Sequence, residues 1–332
     1  MDIIRINNNK NNSNKKYSYM NINNRKIIKT KSILDRINKL NIPPNYDIVY
    51  INTNPYHKHQ AICDDSKGRK QYIYHENYKK HSKEIKFKEL IIFGKKIKKI
   101  RSDINKLLIC NDTVPTKDNV MGAVFYLIDK CNFRIGSVKY KKQYNTYGTT
   151  TLNIDHFIFK KGGISINFIG KKNVTNISYI TNKKCIDIIS KLCKLYQNKE
   201  FIFCYKDNNG RSIHVTENQI NSFLKKYHED LSVKMFRTWT ANSVLLKEFL
   251  SRPIPRTERE RLNNIRDSIK KAAKELHHTP SVSKKAYINN ELIQLYLNKN
   301  KLFYELYNKF NKNSSSTNDS ILNSFLIYIV KK

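Results

Sequence analysis

The hydrophobic periodicity of the chain changes near residue 82, and this change limits the fold more than any other feature. Before it, apolar residues alternate in short runs broken by Asn, Pro and Gly, as in "DIIRI", "KYSYM", "IPPNYDIVYIN" and "RKQYIYHENY". Period-two alternation with such punctuation predicts strands. An Asn-rich spacer separates the first two runs, and Ile33, Leu34, Ile37 and Leu40 follow helical spacing within residues 30–40. Beyond residue 82 the helical period takes over. Ile85, Leu90, Ile91, Ile97, Ile100, Ile104 and Leu107 mark a long amphipathic helix over 83–109 with a lysine-rich face. A second helix is expected over 116–131. Short strands are then expected at "TTTLNI", "HFIFKK" and "ISINFIG", with "NVTNISYI" completing a small sheet. Helices follow over 182–196, 216–228, 234–249 and 257–277, with shorter ones to the end. The reading is an α+β chain of two domains: a β-rich domain at 1–81 and a mainly α-helical domain at 82–332 with a small antiparallel sheet.

Charge names the kind of partner. Lys plus Arg total 63 against 27 Asp plus Glu, a net charge of +36. With 39% hydrophobic residues the chain still builds a core, so the excess points to a polyanion, and nucleic acid first. The longest apolar run, "FLIYIV", is too short to span a bilayer, and "MDIIRINNNK" carries no secretory h-region. The six cysteines show no CxxC spacing, so reduced thiols are expected and a metal site is not. Arginines number only 13. Where lysine is so abundant, an arginine in a chemical context points to a task for a rigid fork of donors, such as binding phosphate oxygens.

Five places carry candidate chemistry. Arg134 in "CNFRIGSVKY" follows a helix end, and Gly136 permits a close turn. Lys171 in "NFIGKKNV" stands at the tip of a predicted hairpin. Lys234 and Arg237 in "KMFRTWTAN" share one helix face, while Trp239 suits the core. In "HTPSVSKKAY", Thr279 as N-cap and Pro280 as first helical residue start a new helix. That leaves His278 in a bend, nine residues before Tyr287. Taken singly, each also suits a structural role.

Taken in order, Arg134, Lys171, Arg237, His278 and Tyr287 resemble the type IB DNA topoisomerases, most closely the compact poxvirus-type enzymes. The matching segments are "FRIG", "GKK", "KMFRTW" and "HTPSVSKKAY", with "DSKGRKQYIY" in the first domain. The resemblance implies the catalytic fold shared with tyrosine recombinases and a monomer that clamps double-stranded DNA. Tyr287 would be the nucleophile, Lys171 the general acid assisted by Arg134, and Arg237 and His278 donors to the phosphate. The product would be a transient 3′-phosphotyrosyl link, resealed after strand rotation, with no cofactor, ATP or metal. Lys67, Arg69, Lys70, Tyr72, Tyr74, Lys139, Tyr140 and Lys234 would contact DNA, and cleavage would favour a short pyrimidine-rich site. A viral setting is implied, in the virion and cytoplasmic virus factory if poxvirus-like.

Three positions depart from the family pattern. Ser137 replaces a lysine, Lys172 an acidic residue, and "TWT" stands where a tyrosine–glycine step follows the arginine. The alternatives are a tyrosine recombinase, which carries a His where this chain has Lys234, and a non-catalytic DNA-binding protein.

Overall fold

The computed structural model describes residues 1–8, 17–66, 68–312 and 316–331. Most of the Asn-rich spacer and the candidate Lys67 therefore lie outside the described residues. The chain forms two compact units, Met1–Lys86 and Phe87–Lys332.

Unit 1 contains β1 (Ile3–Asn7), β2 (Tyr17–Asn21), α1 (Lys31–Lys39), β3 (Ile48–Ile51), β4 (His59–Asp64) and β5 (Lys70–Tyr74). Among the described residues the strands make one antiparallel sheet in the order β2-β1-β3-β4-β5. Alternation decides its two faces. Ile3, Val49, Ile51, Ala61 and Cys63 point inward and pack with Ile37 of α1. On the other face Ile48, Tyr50 and Tyr72 stay exposed.

Within unit 2 the helices carry the core. α2 (Glu76–Leu107) contains the division between the units and buries Leu90, Phe93, Ile97, Ile100 and Ile104 at helical spacing. It is followed by α3 (Lys117–Lys130) and α4 (Val138–Tyr144). Next come β6 (Phe157–Lys160), β7 (Gly163–Gly170) and β8 (Val174–Ile180), a three-stranded antiparallel sheet. α5 (Lys183–Leu195) leads to a two-stranded ribbon, β9 (Cys204–Lys206) and β10 (Ser212–His214). α6 (Glu217–Lys225), α7 (Lys234–Leu250), α8 (Glu258–Glu275) and α9 (Pro280–Ala286) precede α10 (Asn290–Asn298), α11 (Asn300–Phe310) and α12 (Asn318–Val330). The architecture is α+β, as the periodicity implies. Trp239 is fully buried against Phe93, and a Cβ on Gly94 would come 2.5 Å from its ring. None of the described helices is long and apolar enough to cross a membrane.

Two expectations need correction. "TTTLNI" is not a strand: Thr149–Thr151 forms a 3₁₀ turn. Threonine favours strands by propensity, but here its polar groups bind the neighbouring backbone instead. The Thr149 amide and hydroxyl both donate to the Arg134 carbonyl, at 2.8 and 3.0 Å. The second correction concerns "HENY", which belongs not to a strand but to the junction with α2, whose first residue is Glu76.

Candidate active site

Arg134 sits in the loop after α3. Cys131 ends that helix, and the loop turns at Gly136, whose φ is +89°. Gly148 crosses this turn so closely that a Cβ on it would lie 2.4 Å from the Gly136 backbone. Any side chain there would push the two segments apart. Thr150 adds an amide bond of 2.7 Å to the Ile135 carbonyl. Crossed glycines and buried threonines thus hold the loop that presents Arg134. The threonines belong to "TTTLNI", whose propensity speaks for a strand, and the glycine crossing leaves no local mark.

α7 presents Arg237 one turn after Lys234. The arginine is 3% exposed. Its Nη2 donates 2.7 Å bonds to the Leu276 carbonyl and to His278 Nε2. Leu276 is the C-cap of α8. His277 follows in the left-handed region at φ +52°, and the His278 amide reaches back to the Ala273 carbonyl. This is the closing pattern of many helices, with histidine where glycine is usual. It turns the chain sharply and delivers His278 to the arginines. Thr279 then caps α9, accepting from the Val282 amide, with Pro280 in the first turn, the arrangement read from the sequence.

His278 joins the two arginines. Its Nε2 meets Arg134 Nη2 at 2.5 Å as well as Arg237 Nη2 at 2.7 Å. Both guanidiniums only donate, so Nε2 accepts and the proton of the neutral ring resides on Nδ1. Burial, then the charges of Arg237 and Arg134, push its pKa down to about 3. Lys172, at φ +65° on the β7–β8 turn, adds to this depression.

Tyr287 ends α9 and is 8% exposed. Its ring centroid lies 4.8 Å from that of His278, and Arg237 Cζ is 5.6 Å from the same tyrosine ring. Burial alone would raise the phenol pKa. The Arg237 charge and hydrogen bond, with Arg134 and Lys234, outweigh it and bring the phenol below its ordinary value. Asn242, fully buried one turn along α7 from Thr238, pins this segment. Its amide donates to the Tyr287 carbonyl at 2.9 Å and accepts from the Asn289 amide at 2.8 Å. No local motif marks this role of Asn242, because the Tyr287 and Asn289 groups it holds lie more than 40 residues away, while its one near partner is the Thr238 carbonyl.

Arg237 is also depressed, to about 10, by burial and by the neighbouring Arg134, and stays cationic at neutral pH. Two guanidiniums around one neutral ring are held against their mutual repulsion, an arrangement that an anion between them relieves.

Lys171 does not join this hydrogen-bonded group among the described residues. It is exposed, and its Nζ lies 5.8 Å from the Tyr140 ring centroid. The tip end of its hairpin is tied to the segment that crosses the Arg134 loop, because the Tyr147 amide donates to the Ile169 carbonyl at 2.9 Å. Ser137 is the N-cap of α4, which exposes Lys139 and Tyr140. In unit 1, Lys70 and Tyr72 are exposed and Tyr74 is half-buried. Arg69 is held by Asp65, with Nε to Oδ2 at 2.7 Å, in the turn between β4 and β5.

The site thus gathers a buried phenol, a neutral histidine and two arginines on a helical unit with a small sheet. The family described as the catalytic core of eukaryotic DNA topoisomerase I matches residues 75–313. The chain belongs to this family, in its type IB branch. It is 33% identical to the DNA topoisomerase 1B of Acanthamoeba polyphaga mimivirus, over 87% of each chain. It is 27% identical to the vaccinia virus (strain Copenhagen) DNA topoisomerase 1B over 72% of this chain and 73% of the relative. For the DNA topoisomerase 1 of rabbit fibroma virus (strain Kasza) the identity is 29% over 69% of each. The family match favours the topoisomerase reading over the recombinase alternative.

Proposed function

We propose that this viral-type topoisomerase relaxes supercoiled duplex DNA as a monomer, with Tyr287 as the nucleophile. The observation that carries the reading is the convergence of Arg134, Arg237, His278 and Tyr287. The phenol, already below its ordinary pKa, loses its proton to water and attacks the phosphorus. The P–O5′ bond breaks, a 3′-phosphotyrosyl link forms and a 5′-hydroxyl is released. Charge builds on the nonbridging oxygens in the transition state. Arg134 and Arg237 meet it with cationic donors held on the folded frame. Arg237 Nε and Nη1 are buried with the phenol and can share their protons between it and an entering oxygen.

The leaving 5′-oxygen takes its proton from Lys171, as in the family pattern. Since Lys171 lies over Tyr140, the β7–β8 tip shifts toward the phosphate when DNA binds. His278 has to change as well. Its Nε2 accepts from both arginines without DNA, so to donate to the phosphate it gains a proton or moves its proton from Nδ1. The nicked duplex then rotates, and the hydroxyl attacks the phosphotyrosine to reseal the strand. The bond energy stays in the protein link, so ATP is not consumed. Lys70, Tyr72 and Tyr74 of unit 1, with Lys139, Tyr140 and Lys234 of unit 2, hold the duplex. Arg69 is shared with Asp65. We place the activity wherever a viral DNA genome is handled, with a short pyrimidine-rich cleavage preference.

The test is plasmid relaxation in EDTA without ATP. Relaxation by the native protein and its loss in Tyr287→Phe are expected. A Tyr287→Phe protein that still relaxes DNA would overturn the assignment.

A further inference from the structure

The tyrosine face of β5 continues onto β4 through a backbone irregularity. Ile62 lies opposite Tyr72, so regular alternation would place Gln60 opposite Tyr74. A bulge between His59 and Ala61 puts His59 there instead. Bulges re-aim side chains in this way. Gln60 turns inward and is 3% exposed. Its amide donates to the His57 carbonyl at 2.7 Å, and its oxygen accepts from Arg36 at 2.9 Å.

The His59 ring therefore stands on the open face of the sheet. Its centroid is 5.5 Å from that of Tyr72 and 5.2 Å from that of Tyr74. Tyr74 stacks in turn on Tyr78 at 5.1 Å, and Lys58 Nζ lies 4.5 Å from the Tyr78 ring centroid. The His59 ring is thus packed among other rings. Neither of its ring nitrogens has a hydrogen-bond partner among the described residues. An imidazole packed between tyrosine rings with unused nitrogens, on a lysine-flanked aromatic face, is suited to an anionic acceptor.

We propose that His59 is a DNA-contact residue that hydrogen-bonds a backbone phosphate and takes up a proton as the duplex binds. The proposal rests on the reading that unit 1 grips DNA. An imidazole changes charge near neutrality, and a phosphate beside it favours the charged form. Binding therefore tightens as pH falls. Facing His59 are Tyr72 and Tyr74 from β5 and His57 from the preceding loop, its ring 6.0 Å away. Lys58 adjoins it in sequence, Lys70 and Asp64 pair along the same two strands, and Tyr78 of α2 lies behind Tyr74.

The experiment measures binding of a fluorescein-labelled random-sequence duplex to the full chain carrying Tyr287→Phe, across salt concentrations at pH 6 and pH 8. Each ionic phosphate contact steepens the plot of log K against log salt by about 1. At pH 6 the parent slope should exceed that of His59→Gln by about 1, and at pH 8 the two should coincide. His57→Ala should keep the steeper slope at pH 6. Equal slopes for the parent and His59→Gln at pH 6 overturn the proposal, as does transfer of the effect to His57. Lys70→Ala and Tyr72→Ala separate the two levels of failure. If they weaken binding while His59→Gln keeps the parent slope, His59 alone is refuted. If none of the three matters, the reading of unit 1 as the grip falls with it.

Discussion

Unit 1 and unit 2 place the same side-chain types in opposite environments. On the sheet of unit 1, Tyr50 and Tyr72 are 38% and 46% exposed, and the Tyr72 ring packs against Tyr74 and His59 on the open face. In unit 2, Tyr287 and Arg237 are 8% and 3% exposed, locked to the ends of two helices and to Asn242. An exposed ring offers area and donors, and each contributes separately. A buried phenol among buried guanidiniums gains a shifted pKa and a fixed position that no member supplies alone. Substitutions should therefore cost little and add up in unit 1, and cost much and couple in unit 2.

The sharpest break of the comparison is Tyr287→Phe. It should abolish strand cleavage and the covalent adduct, while duplex affinity stays within about twofold, since one hydroxyl on a buried ring adds little to an interface held by phosphate contacts. Gel analysis of detergent-trapped complexes and a binding isotherm check both halves. Next in size, Arg237→Lys or Arg134→Lys should slow single-turnover cleavage by about 10²–10³, because lysine lacks the second arm of the fork. Rates within a few-fold of the native protein would place the arginines outside the chemistry.

Asn242→Ala probes coupling through the backbone. It removes the bonds to the Tyr287 carbonyl and the Asn289 amide in the interior, which should cost about 1–3 kcal/mol of stability. Urea unfolding measures that loss, and slower cleavage should accompany it.

Acid should act on unit 2 through its buried imidazoles. Burial is the leading cause of the depressed pKa values of His156, His214, His277 and His278. Depressed folded-state values mean that the unfolded chain binds more protons once pH falls below the ordinary histidine range. Stability conferred by these neutral rings is therefore complete above that range and is lost as pH drops toward the folded values. Trp239, the only tryptophan, lies in the core of unit 2, so its fluorescence should report a lower melting temperature at pH 5 than at pH 7.5. An unchanged midpoint would mean these rings protonate freely in the fold. The smallest effect belongs to unit 1. Tyr72→Ala should weaken duplex binding by less than about 1 kcal/mol, as for most exposed interface residues, without altering the cleavage rate at saturating DNA.

The same contrast explains what could be read in the sequence. Helices with long regular periods, such as α3, α5, α7 and α8, stood out because many apolar positions repeat, and the cap at Thr279–Pro280 was explicit. β4 carries no clear strand signal, since its bulge breaks the alternation that marks one. β9 and β10, three residues each, are too short to show a period. The order of Arg134, Lys171, Arg237, His278 and Tyr287 was legible through the family resemblance. Their supports were not, because Gly148, Thr149 and Asn242 act on segments brought near only by folding. Nor did the sequence show that Nε2 of His278 accepts from both arginines, or that Lys171 rests on Tyr140.

The most direct test is the chemical identity of the adduct. The protein is incubated with duplex DNA in EDTA without ATP, denatured rapidly, digested with nuclease and protease, and its peptides are weighed by mass spectrometry. A nucleotide joined through its 3′-phosphate to Tyr287 is the expected product. Relaxation without any such adduct, or with the nucleotide on a different residue, would contradict it.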